Sequence, residues 1–152
     1  VIVYQSVDEQ PLYDMLSLAK ENMEKWGVDH IYIQRRFEKG NPVEVYAGTD
    51  KWVDNEFETQ ENHLNYLVNL GRNQNTGLFL DMVNGRKWLQ DNSRKQSVLN
   101  LFSYTCSLGV SAAAGGANQI VNIDMAKGAV KKGQQNLGLL FSTQLCMAFF
   151  IS

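Results

Sequence analysis

The stretch SVLNLFSYTCSLGVSAAAGGANQIVNID, Ser97 to Asp124, decides how the chain folds. SVLNLF is an apolar run of strand length that breaks into a polar Ser-Tyr-Thr-Cys-Ser turn. VSAAAGGA follows as a small-residue helix ending in glycines, and QIVNID reads as a second strand. AKGAVKKGQQNL is a further helix. Strand, helix, strand, helix at this spacing is the mark of a parallel sheet, since parallel neighbours need a crossover connection of about a dozen residues or more. The fold class is therefore α/β.

A strand that ends in polar residues before a helix N-terminus leaves backbone N–H groups facing outward. Such a turn at the carboxyl edge of a sheet suits the polar end of a nucleotide-like ligand. About twenty residues on, the next strand ends in Asp124, placed to accept hydrogen bonds from ribose hydroxyls. An acid after a strand also caps the following helix, and both readings stand. The fingerprint G-x-G-x-x-G is missing, which disfavours a dinucleotide and with it an oxidoreductase.

Upstream, residues 9–27 show Leu12, Met15, Leu16, Ala19, Met23 and Trp26 at helical spacing, with Gly27 as a stop. HIYIQRRF (His30–Phe37) alternates as a half-buried strand does, and VEVYAG returns after a Gly40-Asn41-Pro42 turn. Residues 57–70 predict a second hairpin turning at Asn62-His63, NQNTG is a loop, and GRKWLQ is a short helix. The expected organisation is a small α/β lead lobe over 1–50, a connecting β-hairpin over 51–75, and a partial Rossmann-like domain over 76–152.

Composition sets outer bounds. Apolar residues make up 44% and charged residues 20% of the chain, as in an ordinary globular protein, and the net charge of -2 offers no basic signal for nucleic acid. Cys106 and Cys146 make neither a metal-ligand spacing nor a disulfide framework, so reduced cytoplasmic thiols and no metal are expected. No run reaches the roughly 18 apolar residues of a membrane helix. The chain carries no signal-peptide pattern and starts at Val1, which points to processing, trimming or a partial sequence. Residues 133–152 carry no charge, and the apolar LCMAFFIS near the end is expected to form a strand or dock on a sheet edge; exposed, that tail or the edge itself would support self-association.

Three motifs in order, N-TGLFLD-x-x-x-x-R (Asn75–Arg86), VLNLFSYT and GGA-x-x-x-V-x-x-D, closely resemble those of the large-subunit ribosomal RNA methyltransferases, class I enzymes dependent on S-adenosylmethionine. The resemblance implies a Rossmann-like fold, S-adenosylmethionine as cofactor, ribosomal RNA as partner and a role in rRNA processing. It implies that Phe102, Ser103, Tyr104 and Thr105 wrap the methionine end of the cofactor. Asp124 would bind the ribose and Met125 pack beside the adenine. Phe79, Asp81 and Arg86 would close over the cofactor, with the arginine fork able to meet its carboxylate.

Two departures matter. The family has glycine where this chain has Cys106, and a positive φ there would strain a side chain. The family's catalytic Asn/Asp-Pro-Pro-aromatic motif has no counterpart, because the two prolines are Pro11 and Pro42. No catalytic residue is therefore assigned, and the match fades near Phe141, so the tail is expected to be unrelated sequence from a frameshift or truncation. The alternative to a methyltransferase fragment is a non-catalytic cofactor- or RNA-binding module. His30, His63, Trp26, Trp52 and Trp88 are read as packing or surface residues, neither cysteine as a nucleophile, and Arg35, Arg36 and Lys39 as a solvated strand end.

Overall fold

The computed structural model describes residues 2–4, 10–35, 38–40, 42–71, 75–140 and 147–151. They fall into two compact units, one of residues 1–57 and 69–76 and the other of 58–68 and 77–152.

In the first unit, β1 (Ile2–Tyr4) pairs parallel to β2 (Ile31–Arg35), and β3 (Val43–Ala47) pairs antiparallel to its other side. Helices α1 (Gln10–Glu21) and α2 (Met23–Trp26) lie between β1 and β2 in the chain. Leu12 and Leu16, one turn apart on α1, are fully buried and form a core with Ile31 and Ile33. The helical run breaks at Asn22, whose Nδ2 donates to the Leu18 carbonyl at 2.8 Å, and it stops at Gly27 with a left-handed φ of 62°. Met15 and Trp26, expected in the apolar stripe, are exposed: Met15 sits at the rim of the Leu12–Leu16 face, and Trp26 follows the break. Strand β2 was expected to be half-buried, yet Ile31, Tyr32, Ile33 and Gln34 are all buried. Successive side chains point to opposite faces, so burial of all four means that both faces of β2 are covered and neither is the wet one that alternation implied. The strand β1 was not anticipated at all. The Gly40-Asn41-Pro42 turn lies partly outside the described residues, as do Arg36 and Phe37. Arg35 pairs with Glu44 through Nη2 at 3.1 Å.

The second unit begins with the hairpin of β4 (Phe57–Glu61) and β5 (Leu64–Val68), apart from Phe57 itself. Its turn residues Asn62 and His63 have φ of 51° and 65°, the sign a two-residue type I′ connection requires. Residues 58–68 of the hairpin group with the parallel sheet in one compact unit. The Leu67 N–H donates to Asn136 Oδ1 at 2.8 Å, and the buried Tyr66 hydroxyl meets Ser111 Oγ at 3.0 Å.

After α3 (Val83–Asn92) comes the parallel unit: β6 (Ser97–Leu101), α4 (Ser107–Ala114), β7 (Gln119–Ile123), α5 (Lys127–Leu140) and β8 (Met147–Ile151). The strand order is β6-β7-β8, parallel throughout, with Val98 opposite Ile120 and Ile120 opposite Ala148. Parallel crossovers are right-handed as a rule, and two that step the same way put both helices on one face, where α4 and α5 meet. That face holds Asn100 and Asn122, register partners joined by a buried hydrogen bond of 2.9 Å. A Cβ on Gly109 of α4 would strike the Asn122 side chain, so glycine is what lets the helix lie this close. On the opposite face Leu99 and Leu101 are 62% and 54% exposed. The uncharged tail supplies β8.

Candidate functional site

Strand β6 ends at Leu101, and the chain enters α4 through Phe102–Cys106. Three non-glycine residues of this turn, Phe102, Tyr104 and Cys106, have positive φ (53°, 47° and 57°). Left-handed backbone costs about 1–2 kcal/mol for an ordinary L-residue, and such conformations persist only where the surroundings over-determine them. Here the surroundings do. The Ser103 N–H donates to the Ile123 carbonyl at 3.0 Å and the Cys106 N–H to the Ser103 carbonyl at 2.7 Å. Thr105 Oγ1 donates to the Gly77 carbonyl at 2.6 Å, and Asn136 Nδ2 donates to the Thr105 carbonyl at 3.0 Å.

The carboxylate of Asp124, one residue beyond β7, closes the turn. Oδ2 accepts the Tyr104 N–H and Oδ1 the Ala126 N–H, each at 2.8 Å. Asp124 therefore closes an Asx turn just ahead of α5 and ties the β6 turn to the β7 turn at once. A carboxylate accepts about four hydrogen bonds, so each oxygen retains capacity for a further donor. Beside it, Phe102 and Met125 are 90% and 94% exposed, two apolar side chains flanking one acid at the carboxyl edge of the sheet.

Cys106, in the left-handed position where the resembling family has glycine, is nonetheless buried. Its thiol lies in the space that a side chain on Gly133 of α5 would fill. The thiol donates weakly to Ser103 Oγ at 3.6 Å. Burial pushes its pKa up, the Ser103 hydrogen bond opposes that, and the nearby Asp124 charge adds to it. A thiol held protonated is a poor nucleophile. Cys146 lies outside the described residues.

Segment 77–82 borders the turn. The Phe79 ring, partly exposed, sits 5.1 Å from that of Tyr104 in a tilted contact. Burial raises the Tyr104 phenol, opposed by a backbone hydrogen bond with Gly77. Asp81 is exposed in the single 3-10 turn that leads into α3. Arg86 is placed otherwise than expected: only 1% exposed, its fork is taken by the Glu61 carboxylate rather than offered to a ligand. The structure thus brings Phe79, Phe102–Thr105, Asp124 and Met125 to one edge, leaves Asp81 on the surface beside them, and sets Arg86 behind the segment.

Asn136 and Glu61 escaped the sequence reading. Asn136 had a signal, since it falls on the buried face of α5 with Val130, Gly133 and Leu137, where an amide must find partners. Glu61 had none; it lies 25 positions before the arginine it meets. Among the described residues no three His, Cys, Asp or Glu side chains gather as a metal site, and no helix is long and apolar enough to cross a membrane.

Comparison with known proteins gives a consistent result. A family model described as S-adenosylmethionine-dependent methyltransferase matches residues 15–151. It runs through the uncharged tail, which is therefore part of the matched sequence and not the unrelated piece anticipated above. The ribosomal RNA large subunit methyltransferase K/L of Psychrobacter arcticus is 35% identical over 112 residues, 73% of this chain and 15% of the relative. That of Pseudoalteromonas translucida is 35% identical over 136 residues, 89% of this chain and 19% of the relative. The chain spans less than a fifth of the length of either. A solved structure described as a SAM-dependent methyltransferase from Streptococcus mutans superposes with a TM-score of 0.80 at 25% identity, covering 98% of this chain and 38% of that one. The structure of SMU.776 complexed with SAH gives 0.80 at 24% identity over 99% and 38%, a likeness of fold.

Proposed function

The chain belongs to the S-adenosylmethionine-dependent methyltransferase family, and from that premise we propose that its second unit holds the cofactor for methylation of a base in ribosomal RNA. The observation that carries this reading is the Asp124 carboxylate, bonded to both turns and flanked by exposed Phe102 and Met125. These residues suit the adenosine end of the cofactor. The acid accepts from ribose hydroxyls, and the two apolar side chains give the adenine a surface. The strained Phe102–Thr105 turn follows the methionine end, and Phe79 with Asp81 borders it from segment 77–82. S-adenosylmethionine, when bound, supplies a methyl group on a positively charged sulfur. This chain's residues bind and orient it. Ribosomal RNA as the acceptor rests on the names of the relatives.

Calorimetric titration with S-adenosylhomocysteine tests the site. Asp124→Ala removes the ribose acceptor and releases the Tyr104 N–H, and is expected to cost about 1.5–3 kcal/mol of binding, the range for hydrogen bonds to charged groups. Unchanged affinity would reduce Asp124 to a tie between two turns.

A further inference from the structure

Arg86 makes three charge-assisted hydrogen bonds within the second unit, and only one of them reaches the site. Nε donates to Glu61 Oε1 at 2.6 Å and Nη2 to Glu61 Oε2 at 2.8 Å, a bidentate pair. The third, from Nη1, goes to the Phe79 carbonyl at 2.9 Å. The guanidinium is wholly buried, and the Glu61 side chain is 16% exposed. A buried pair of this kind gains little net stability, because desolvation offsets most of the attraction. What it does set is direction: with two of the three bonds fixed by one bidentate carboxylate, the third is aimed.

Its target bears on the site. The Phe79 carbonyl belongs to the residue whose ring meets Tyr104, and two residues earlier the Gly77 carbonyl is held by Thr105 of the cofactor turn. Segment 77–79 is thus suspended from two side chains, one inside the turn and one behind it. The one behind it depends on Glu61.

We propose that Glu61, at the end of β4, is a positioning residue for the cofactor site. It aims Arg86 at the Phe79 carbonyl and so fixes the Phe79–Tyr104 contact. Glu61 touches no ligand. The inference rests on reading the Tyr104 turn as the cofactor site and adds to it a residue from a hairpin that lies outside every motif.

The test uses the whole 152-residue chain with S-adenosylhomocysteine as probe. Glu61→Gln nearly preserves shape but removes the charge that Arg86 faces. It is expected to weaken affinity about tenfold, the scale of coupling between residues in one network. The loss should vanish in a Phe79→Ala background, where the carbonyl no longer positions a ring. Separately, and without ligand, hydrogen exchange at Met82, whose N–H bonds the Phe79 carbonyl at 3.3 Å, should quicken in Glu61→Gln. A folded Glu61→Gln with wild-type affinity and wild-type exchange overturns the proposal. So does a loss of affinity that persists undiminished in Phe79→Ala, which is what general destabilisation would give. If Glu61→Gln does not fold, Glu61→Asp keeps the charge and shortens its reach, and the same two measurements decide. If the wild-type chain takes up no S-adenosylhomocysteine, the cofactor reading fails, while exchange at Met82 still decides whether Glu61 holds the segment.

Discussion

Cys106 shows how one residue in an unfavourable conformation can be kept. Its left-handed φ invites glycine, yet its side chain fills space that Gly133 leaves open on α5. The two positions are therefore coupled. Gly133→Ala is expected to destabilise the chain by about 1–3 kcal/mol, as overpacking does, and Cys106→Gly should relieve most of that loss in the double variant. Urea denaturation of the four chains measures it. The same residue predicts a pH dependence. Burial holds Cys106 above its ordinary value of 9.0, and Tyr66 and Tyr104 above 10.0. The unfolded chain ionises first, so this stability is fully present below about pH 9 and is lost as pH rises through the raised values. Urea midpoints measured from pH 8 to 10.5 should fall steadily, and Cys106→Ala should flatten the earliest part of that fall. A flat profile would mean that the three groups are wetter than the structure shows. The glycine-to-cysteine departure was legible in the sequence; the compensating glycine, 27 positions away, was not, because only packing joins them.

Elements were legible where local pattern and neighbours agree. The β6–α4–β7–α5 run follows from alternation of type along the chain, and Asn62-His63 marked its own turn. Strand β1 was missed because a short apolar run at a chain start has no flanking signal, and β2 was taken for half-buried because periodicity cannot see a second covered face. The turn offers a direct check. Replacing His63 by glycine removes a positive-φ side chain and should raise stability by about 0.5–1 kcal/mol, the left-handed penalty less the extra entropy glycine brings to the unfolded chain. A thermal melt that moves down would show that the His63 side chain has partners worth more than the penalty. The edge of the parallel sheet offers another. Among the described residues β6 pairs with β7 alone, and Leu99 and Leu101 beside that edge are exposed. Self-association through such an edge is expected. Sedimentation over a concentration series should show it, and Leu101→Lys should reduce it. A chain monomeric at every concentration rules it out.

At the scale of the whole molecule, binding and chemistry separate. A cofactor edge needs two strand ends, and both are present. Methyl transfer also needs the acceptor base held in line with the methyl group, and the Asn/Asp-Pro-Pro segment that does this in the resembling family has no counterpart, since Pro11 and Pro42 both lie in the first unit. The purified 152-residue chain is therefore expected to take up S-adenosylhomocysteine while leaving ribosomal RNA unmethylated in a labelled-methyl assay. Measurable incorporation by this chain alone would place acceptor-holding residues where no motif marks them.

The amide pair Asn100–Asn122 has a consequence for how the sheet assembles. A parallel strand with apolar residues on both faces, as β7 has, can zip one place out of step and still bury oil against oil. Here it cannot do so quietly. A slip of β7 by one residue turns Asn122 away from α4 and leaves Asn100 on that face without its partner, at a penalty of about 1–3 kcal/mol for each orphaned group. It also brings a branched side chain against Gly109, where there is room only for the asparagine. The pair thus favours one register over its neighbours, and that register sets the Asp124 turn beside the turn that follows β6.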